Sequence, residues 1–256
     1  MTDILTLVRR TVGTWILTDN VGRVVGRAFK DIIPHRGLKI DTRNDVIRDE
    51  VKIRLLLHAY ESSEARFVEK YLPRNCDVIE LGGSIGVISC LIRRHIDEDR
   101  KLIVVEADPR LVPALQANLD ANGCSADVTV LGGAISYGGT DKVEFAVGAT
   151  SVSGRLATEG ASDGTISIPA LTISQLVERF SLTDYALVSD IEGAEWSVLR
   201  NDFETLKRAR LIVMETHSTA IDGTHEQFLE EILASGDFTM LDRHGSVVVL
   251  RPSIAD

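Results

Sequence analysis

Apolar positions recur at helical spacing through the start of the chain, at Ile4/Leu5, Val8, Val12, Trp15/Ile16, Val21, Val24/Val25 and Ala28/Phe29. This predicts one or two amphipathic helices within residues 1–36 that end before Pro34. Residues 37–75 read as a short extended piece, Gly37–Asp41, and then helical segments around Val46–Tyr60 and Ser63–Tyr71, with Ser62 or Ser63 as N-cap. From Asp77 the pattern changes to short β-rich runs alternating with helical ones, which predicts a mostly parallel sheet covered by helices on both faces. The strands fall at Asp77–Leu81, Lys101–Glu106, Asp127–Leu131, Tyr185–Asp190, Ala209–Glu215, Asp237–Leu241 and Ser246–Leu250. Helices fit between them at Val87–Ile96, Leu111–Asn122, Thr172–Phe180, Trp196–Arg200 with a continuation, and His225–Ser235. Only Asp242–Gly245 joins the last two strands, too few residues for a parallel crossover, so the final strand runs antiparallel to its neighbour.

Between Ser136 and Leu171 the alternation loosens into glycines, serines and threonines, with short strands expected at Lys142–Val147 and Thr165–Ile168. Insertions of this kind often cover a site. The expected organisation is an N-terminal amphipathic arm (1–36), lead-in helices (37–75) and one α/β domain (76–256) with a seven-stranded sheet.

The hydrophobic share of 44% and charged share of 26% belong to an ordinary globular protein and exclude disordered, collagen-like and coiled-coil chains. A net charge of −10 excludes a nucleic-acid binder that works by phosphate neutralisation. Cys76, Cys90 and Cys124 form no C-x-x-C pair, so neither a disulfide framework nor a structural zinc site is expected, and a reducing cytoplasm is. The charge is uneven: Arg9, Arg10, Arg23, Arg27, Lys30 and Arg36 against Asp3, Asp19 and Asp31 leave +3 in residues 1–36. Two readings of this segment stay open. It packs on the main domain or on a second subunit, or it lies as a basic helix on the inner face of an anionic membrane. A secretory signal is not expected, because its apolar core would run through Arg9 and Arg10.

The chemistry gathers at strand ends. The first strand runs into Gly82-Gly83-Ser84-Ile85-Gly86, a strand–turn–helix junction where a nucleotide-like ligand meets the backbone, and small residues are expected because a Cβ would block that approach. Ser84 stands where a dinucleotide fingerprint has its second glycine, and no P-loop lysine follows. Glu80 would repel a pyrophosphate but would pair with a ligand carrying an ammonium and a sulfonium, which describes S-adenosyl-L-methionine. Glu106, ending the second strand before Ala107, suits both hydroxyls of an adenosine ribose. Asp108 reads as the cap of the following helix. In Gly132-Gly133-Ala134-Ile135-Ser136, small residues would let an adenine lie flat, although ligand-free loop glycines read equally well.

Asp190 ends the fourth strand ahead of Ile191-Glu192-Gly193-Ala194-Glu195. Glu192 and Glu195 fit the field of the next helix N-terminus, whereas Asp190 points at the crevice. His217, in Glu215-Thr216-His217, is either a second proton-transfer group or a surface loop histidine. No metal is assigned, with one alternative in which Asp190, Glu192 and Glu215 offer oxygens to Mg²⁺. A non-catalytic adenosine-binding domain and an NAD-dependent oxidoreductase are further alternatives.

Taken in order, Tyr60-Glu61-x-x-Glu64, VIELGGSIG (Val78–Gly86), VVEADP (Val104–Pro109) with Asn118 and Asn122, the GGAIS turn, SDIEGAEWSVL (Ser189–Leu199) and METH (Met214–His217) resemble the FkbM family of S-adenosylmethionine-dependent methyltransferases. The fourth-strand run is the most specific part, close to the family's I-D-v-E-G-x-E. The family commonly has Asp and Asn where Glu80 and Ser84 stand, and often Asp at Thr172. The resemblance implies a Rossmann-like class I methyltransferase fold. It also implies O-methylation of a hydroxyl on a sugar-containing, glycan or other small-molecule acceptor. The expected donor contacts are Glu80, Gly82, Gly83, Ser84, Gly86, Glu106, Ala107, Ala134 and Asp190, with Asp190 and His217 as the catalytic candidates.

Overall fold

A computed structural model describes residues 18–146, 155–156, 164–219 and 221–253. Strands β3 (Asp77–Leu81), β4 (Leu102–Glu106), β5 (Val128–Gly132), β10 (Tyr185–Ser189), β11 (Ile212–Glu215), β12 (Phe238–His244) and β13 (Val247–Pro252) form one sheet in the order β12-β13-β11-β10-β3-β4-β5. The pairings from β5 through β11 are parallel, and β13 runs antiparallel to both β11 and β12, as the short Asp242–Gly245 link requires. The strand order reverses between β3 and β10, so the carboxyl ends of neighbouring strands diverge into a crevice there.

Each face of the sheet buries its own apolar layer. Val78, Val104, Ala186, Val188 and Val213 pack one way, with Ile85 of the turn after β3 and Ile92 and Leu115 of the helices. Ile79, Ile103, Leu187, Ile212 and Val248 pack the other way, with Trp196, Phe228 and Ile232. These strand residues alternate because successive side chains point to opposite faces, and both faces are covered.

The lead-in departs from the sequence reading. Helix α1 (Asp19–Phe29), capped by the Thr18 hydroxyl, ends at Lys30 in the left-handed region. A hairpin then follows, β1 (Ile32–His35) and β2 (Leu38–Asp41), so Pro34 lies in a strand and the boundary expected at residue 36 falls inside the hairpin turn. Proline is tolerated because β1 is an edge strand, where its missing N–H interrupts no ladder. The helical spacing expected over residues 1–17 lies outside the described residues. Helix α1 packs on α2 (Asp49–Leu56) through Gly22, where an added methyl group would stand 2.0 Å from the Asp49 carbonyl oxygen. Helix α3 (Ser62–Tyr71) starts not at a serine cap but at Glu61, in the left-handed region with φ of 43°, and the Ser63 hydroxyl bonds His244 instead.

Strand β2 is anchored by two side-chain amides of α5 (Val112–Ala121) and its C-cap. Asn118 Oδ1 accepts from the Asp41 N–H and Asn122 Oδ1 from the Lys39 N–H, while their Nδ2 groups donate to the carbonyls of the same two residues. Each amide thus mimics one rung of a β-ladder.

The loosened stretch forms a small sheet, β6 (Ala134–Ile135), β9 (Thr165–Leu171), β7 (Lys142–Ala146) and β8 (Arg155–Leu156). Helices α4 (Val87–His95), α6 (Ile173–Arg179), α7 (Glu195–Asn201), α8 (Phe203–Lys207) and α9 (His225–Ala234) complete the layers. Among the described residues no helix is long and apolar enough to cross a membrane.

Candidate active site

The carboxyl ends of β3, β4 and β10 open into a cleft with about 880 Å³ of empty space, part of it solvent. Of the expected donor contacts, Gly82, Ser84, Glu106, Ala107, Ala134 and Asp190 line it. Gly83, Gly86 and Glu80 do not. A methyl group at Gly83 would stand 2.4 Å from both the Val104 and Leu115 side chains, and one at Gly86 3.2 Å from the Leu115 carbonyl. Even at Gly82, with φ of +88°, the obstacle is the Asp190 carbonyl oxygen at 1.9 Å. The glycines therefore let the turn pack on its own protein, which corrects the expectation that a ligand alone demanded them.

Ser84 has φ of 47°, an uncommon conformation for a residue with a Cβ. Its N–H donates to Glu106 Oε2 at 2.7 Å, and its hydroxyl pairs with that of Tyr60 at 3.0 Å. Glu106 Oε1 accepts from the Asp108 N–H at 2.7 Å. Each carboxylate oxygen thereby keeps a free lone pair while the group is held rigidly. Burial pushes Glu106 up to about 6 despite these N–H donors. Asp108 does not cap the next helix, which starts at Val112. Its carboxylate accepts from the backbone and side chain of Arg110.

Glu80 lies beside the cleft in a small cavity that it shares with Glu61, Glu64, Gly82 and Asp190. Its side chain is buried and neither oxygen makes a hydrogen bond, the nearby Ser89 hydroxyl included, so burial pushes it up to about 8. Burial also raises Glu61, which lines the cleft, well above the carboxylate range, with the charges of Glu64 and Asp190 adding to it. Glu64 is pushed up to about 7, first by burial and then by Glu215.

Asp190 leaves β10 with Oδ1 buried and unbonded. Burial raises its proton affinity, Glu215 and Glu192 raise it further, and His217 opposes them. His217 does not stand free on a loop. Its Nδ1 bonds Glu195 Oε1 at 2.8 Å, and its Nε2 is 3.7 Å from Asp190 Oδ1 and 3.6 Å from Glu192 Oε2. Burial alone would lower it, but the bond to Glu195 and the charges of Glu195, Asp190 and Glu192 hold it up at about 9. These surroundings favour the protonated ring. Asp190, Glu192 and His217 each bring one ligand-type atom within 4.8 Å of the others, whereas Glu215 is engaged by the Ser246 hydroxyl.

Part of the wall comes from residues outside the expected donor contacts and away from the strand ends. Tyr60 and Glu61 enter from the lead-in and Phe145 from β7. Phe145 had one signal, an aromatic in a strand-like run within a stretch rich in small residues.

A parallel sheet whose antiparallel β13 lies between β11 and β12, with acidic strand ends around a glycine turn, is the architecture of a Rossmann-like methyltransferase. The sequence profile of the methyltransferase FkbM domain matches residues 80–240, and the chain belongs to that family of methyltransferases. No curated protein matches the chain. Among solved structures it is similar to the METTL16 methyltransferase domain, with 14% identity, 93% of this chain and 82% of that one covered, and a TM-score of 0.48. It is also similar to a putative O-methyltransferase from Klebsiella pneumoniae (15% identity, 75% and 80% covered, TM-score 0.47). A methyltransferase from Geobacter sulfurreducens shows 15% identity, 73% and 76% covered, and a TM-score of 0.45.

Proposed function

We propose that the protein transfers a methyl group from S-adenosylmethionine to a hydroxyl oxygen of a sugar-containing, glycan or other small-molecule acceptor. One observation carries the choice of donor: Glu80 is buried with both oxygens unbonded beside a cleft already walled by Glu61, Glu106 and Asp190. Burial keeps this acid protonated because ionising it without a partner is costly, and a cationic ligand offsets that cost where a pyrophosphate would add to it. When bound, S-adenosylmethionine supplies a methyl carbon activated by a sulfonium. Glu106 offers its free lone pairs to the ribose hydroxyls. Gly133, Ala134 and Ile135 present a flat wall to the adenine, with Phe145 packed beside Ala134. Asp190 accepts the proton of the acceptor hydroxyl, since a carboxylate whose proton affinity is raised by burial is, when ionised, a better base than a solvated one.

Isothermal calorimetry tests the donor assignment. S-Adenosylmethionine and its demethylated product should bind and NAD should not; tight NAD binding would favour the oxidoreductase reading. Incubation with methyl-labelled donor and separated glycan, lipid and small-molecule fractions of cells should place label in one fraction, released by treatments that spare ethers only if the acceptor is not a hydroxyl.

The raised carboxyls also set a pH dependence. Glu106, Glu64 and Glu80 hold protons in the ligand-free fold up to about 6, 7 and 8. Their contribution to folding is complete below the ordinary carboxylate range and is lost as pH rises through those values. A cationic donor lowers these affinities, so binding between pH 6 and 7.5 should release on the order of one proton and tighten with rising pH. Calorimetry in two buffers of different ionisation enthalpy measures the release, and net proton uptake would contradict the arrangement.

Clustering of Asp190, Glu192 and His217 favours a second reading, a divalent cation that positions the acceptor. Methyl transfer unchanged after exhaustive chelation would remove it.

A further inference from the structure

Helix α1 is attached by its glycines. Gly22 and Gly26, one turn apart, are its buried residues, and a methyl group on them would stand 2.0 Å from the Asp49 carbonyl oxygen and 2.3 Å from the Asp31 carboxylate. Of its apolar side chains only Val25 reaches the core, and that one partly. Val21, Val24, Ala28 and Phe29 follow at i, i+3, i+7 and i+8, one face of a helix, and all are exposed, Val24 by 63%. Ile32 and Pro34 are exposed on the outer side of the hairpin, with Lys39 paired opposite Pro34. Four of the seven exposed large apolar side chains among the described residues fall within residues 21–32, and such a cluster, unlike scattered single residues, marks an interaction site.

Positive charge flanks the stripe. Arg27, one turn beyond Val24, and Lys30 and Lys39 are exposed and pair with no carboxylate among the described residues. The acids nearby are already engaged, Asp31 by Lys52 at 2.8 Å, and Asp49 by Lys52 at 2.7 Å and Arg23 at 3.5 Å. We propose that this face of α1 and the hairpin docks on an anionic lipid bilayer. An 11-residue helix lies in the interface plane, where its apolar side chains enter the acyl boundary and the Arg and Lys stems carry their charge to the headgroups. A second copy of the chain fits the face less well, because a twofold contact sets the same patch against itself and brings the cations together. The docking involves neither the cleft nor the donor.

Co-sedimentation of the full chain with lipid vesicles tests this. Phosphatidylcholine vesicles containing roughly a third phosphatidylglycerol should bind the protein at least about tenfold better than phosphatidylcholine alone, and high salt should remove the difference. A chain of net charge −10 is repelled by an anionic surface as a whole, so that preference has to come from a local basic face. Val24→Asp should lower binding to the mixed vesicles at least about fivefold by withdrawing apolar area, and Arg27→Ala about fivefold by removing one cation. Both side chains are exposed, and circular dichroism checks that the fold survives. Wild-type protein that binds both vesicle types equally, or neither, overturns the proposal with no variant needed. Undiminished binding in either variant overturns it equally, since the contact then lies elsewhere on the chain. A homodimer in light scattering that Val24→Asp splits would give the face to a second copy and overturn it too.

Discussion

Glu106→Ala will weaken S-adenosylmethionine binding by on the order of a hundredfold. Two hydrogen bonds from ribose hydroxyls to a carboxylate are each worth about 1.5–3 kcal/mol, and about 3 kcal/mol is already more than a hundredfold in Kd. The variant also strips the Ser84 and Asp108 N–H groups of their acceptor. Ser84 then has less reason to stay at positive φ, and the turn that faces the donor loosens. Glu106→Gln can satisfy one of those N–H groups but opposes the other with its own amide hydrogens, so its loss should be intermediate. Calorimetry reads the affinities and circular dichroism checks that the fold survives. An affinity for Glu106→Ala within threefold of wild type would remove the residue from the donor site.

Asp190→Asn should lower methyl transfer by about 10²–10⁴-fold, the usual contribution of a general base, while weakening donor binding by less than about tenfold. The substitution is nearly isosteric, and the Asp190 backbone still donates to the Leu81 carbonyl and still sits against Gly82. Because the base must be ionised, wild-type activity should fall as pH drops through the raised value of Asp190, and the variant should lack that limb. The measurement is transfer of labelled methyl to whichever cellular fraction accepts it. Full turnover in Asp190→Asn would assign the proton to another group and reduce Asp190 to a structural role.

The strands that carry the site were legible because their signals are local. DVIEL, LIVVE and YALVS are apolar runs ending at turn residues, and each appears within a residue or so of its expected bounds. What stayed hidden depends on distance along the chain. His217 and Glu195 are 22 residues apart with a helix pair between them, so nothing in either segment marks the pairing. The sequence left His217 open between a proton-transfer group and a loop residue, and neither described a ring set among Glu195, Asp190 and Glu192. The second strand of the hairpin coincides with the extended piece expected at Gly37–Asp41, but the first was missed for a different reason: Ile32, Ile33 and Pro34 continue the apolar content of α1, and only the left-handed Lys30 and Asp31 break the helix. Lysine and aspartate announce such a break far less clearly than glycine would. Glu80 was placed at the donor end on charge alone, and the fold sets it one layer behind the cleft, where its influence is exerted through the cavity it shares with Glu61 and Asp190.

The paired asparagines of α5 set the size of the piece that can be cut out and still work. The profile-matched segment, 80–240, contains Asn118 and Asn122 but neither the hairpin they hold nor Tyr60, Glu61 and β13. Excised at those bounds, the chain would expose two amide faces with no ladder to complete, an unpaired edge on β11 and one open side of the cleft. The unit that inheritance recognises is therefore smaller than the unit that physics can fold, and a shuffled or engineered copy would have to carry the hairpin with it.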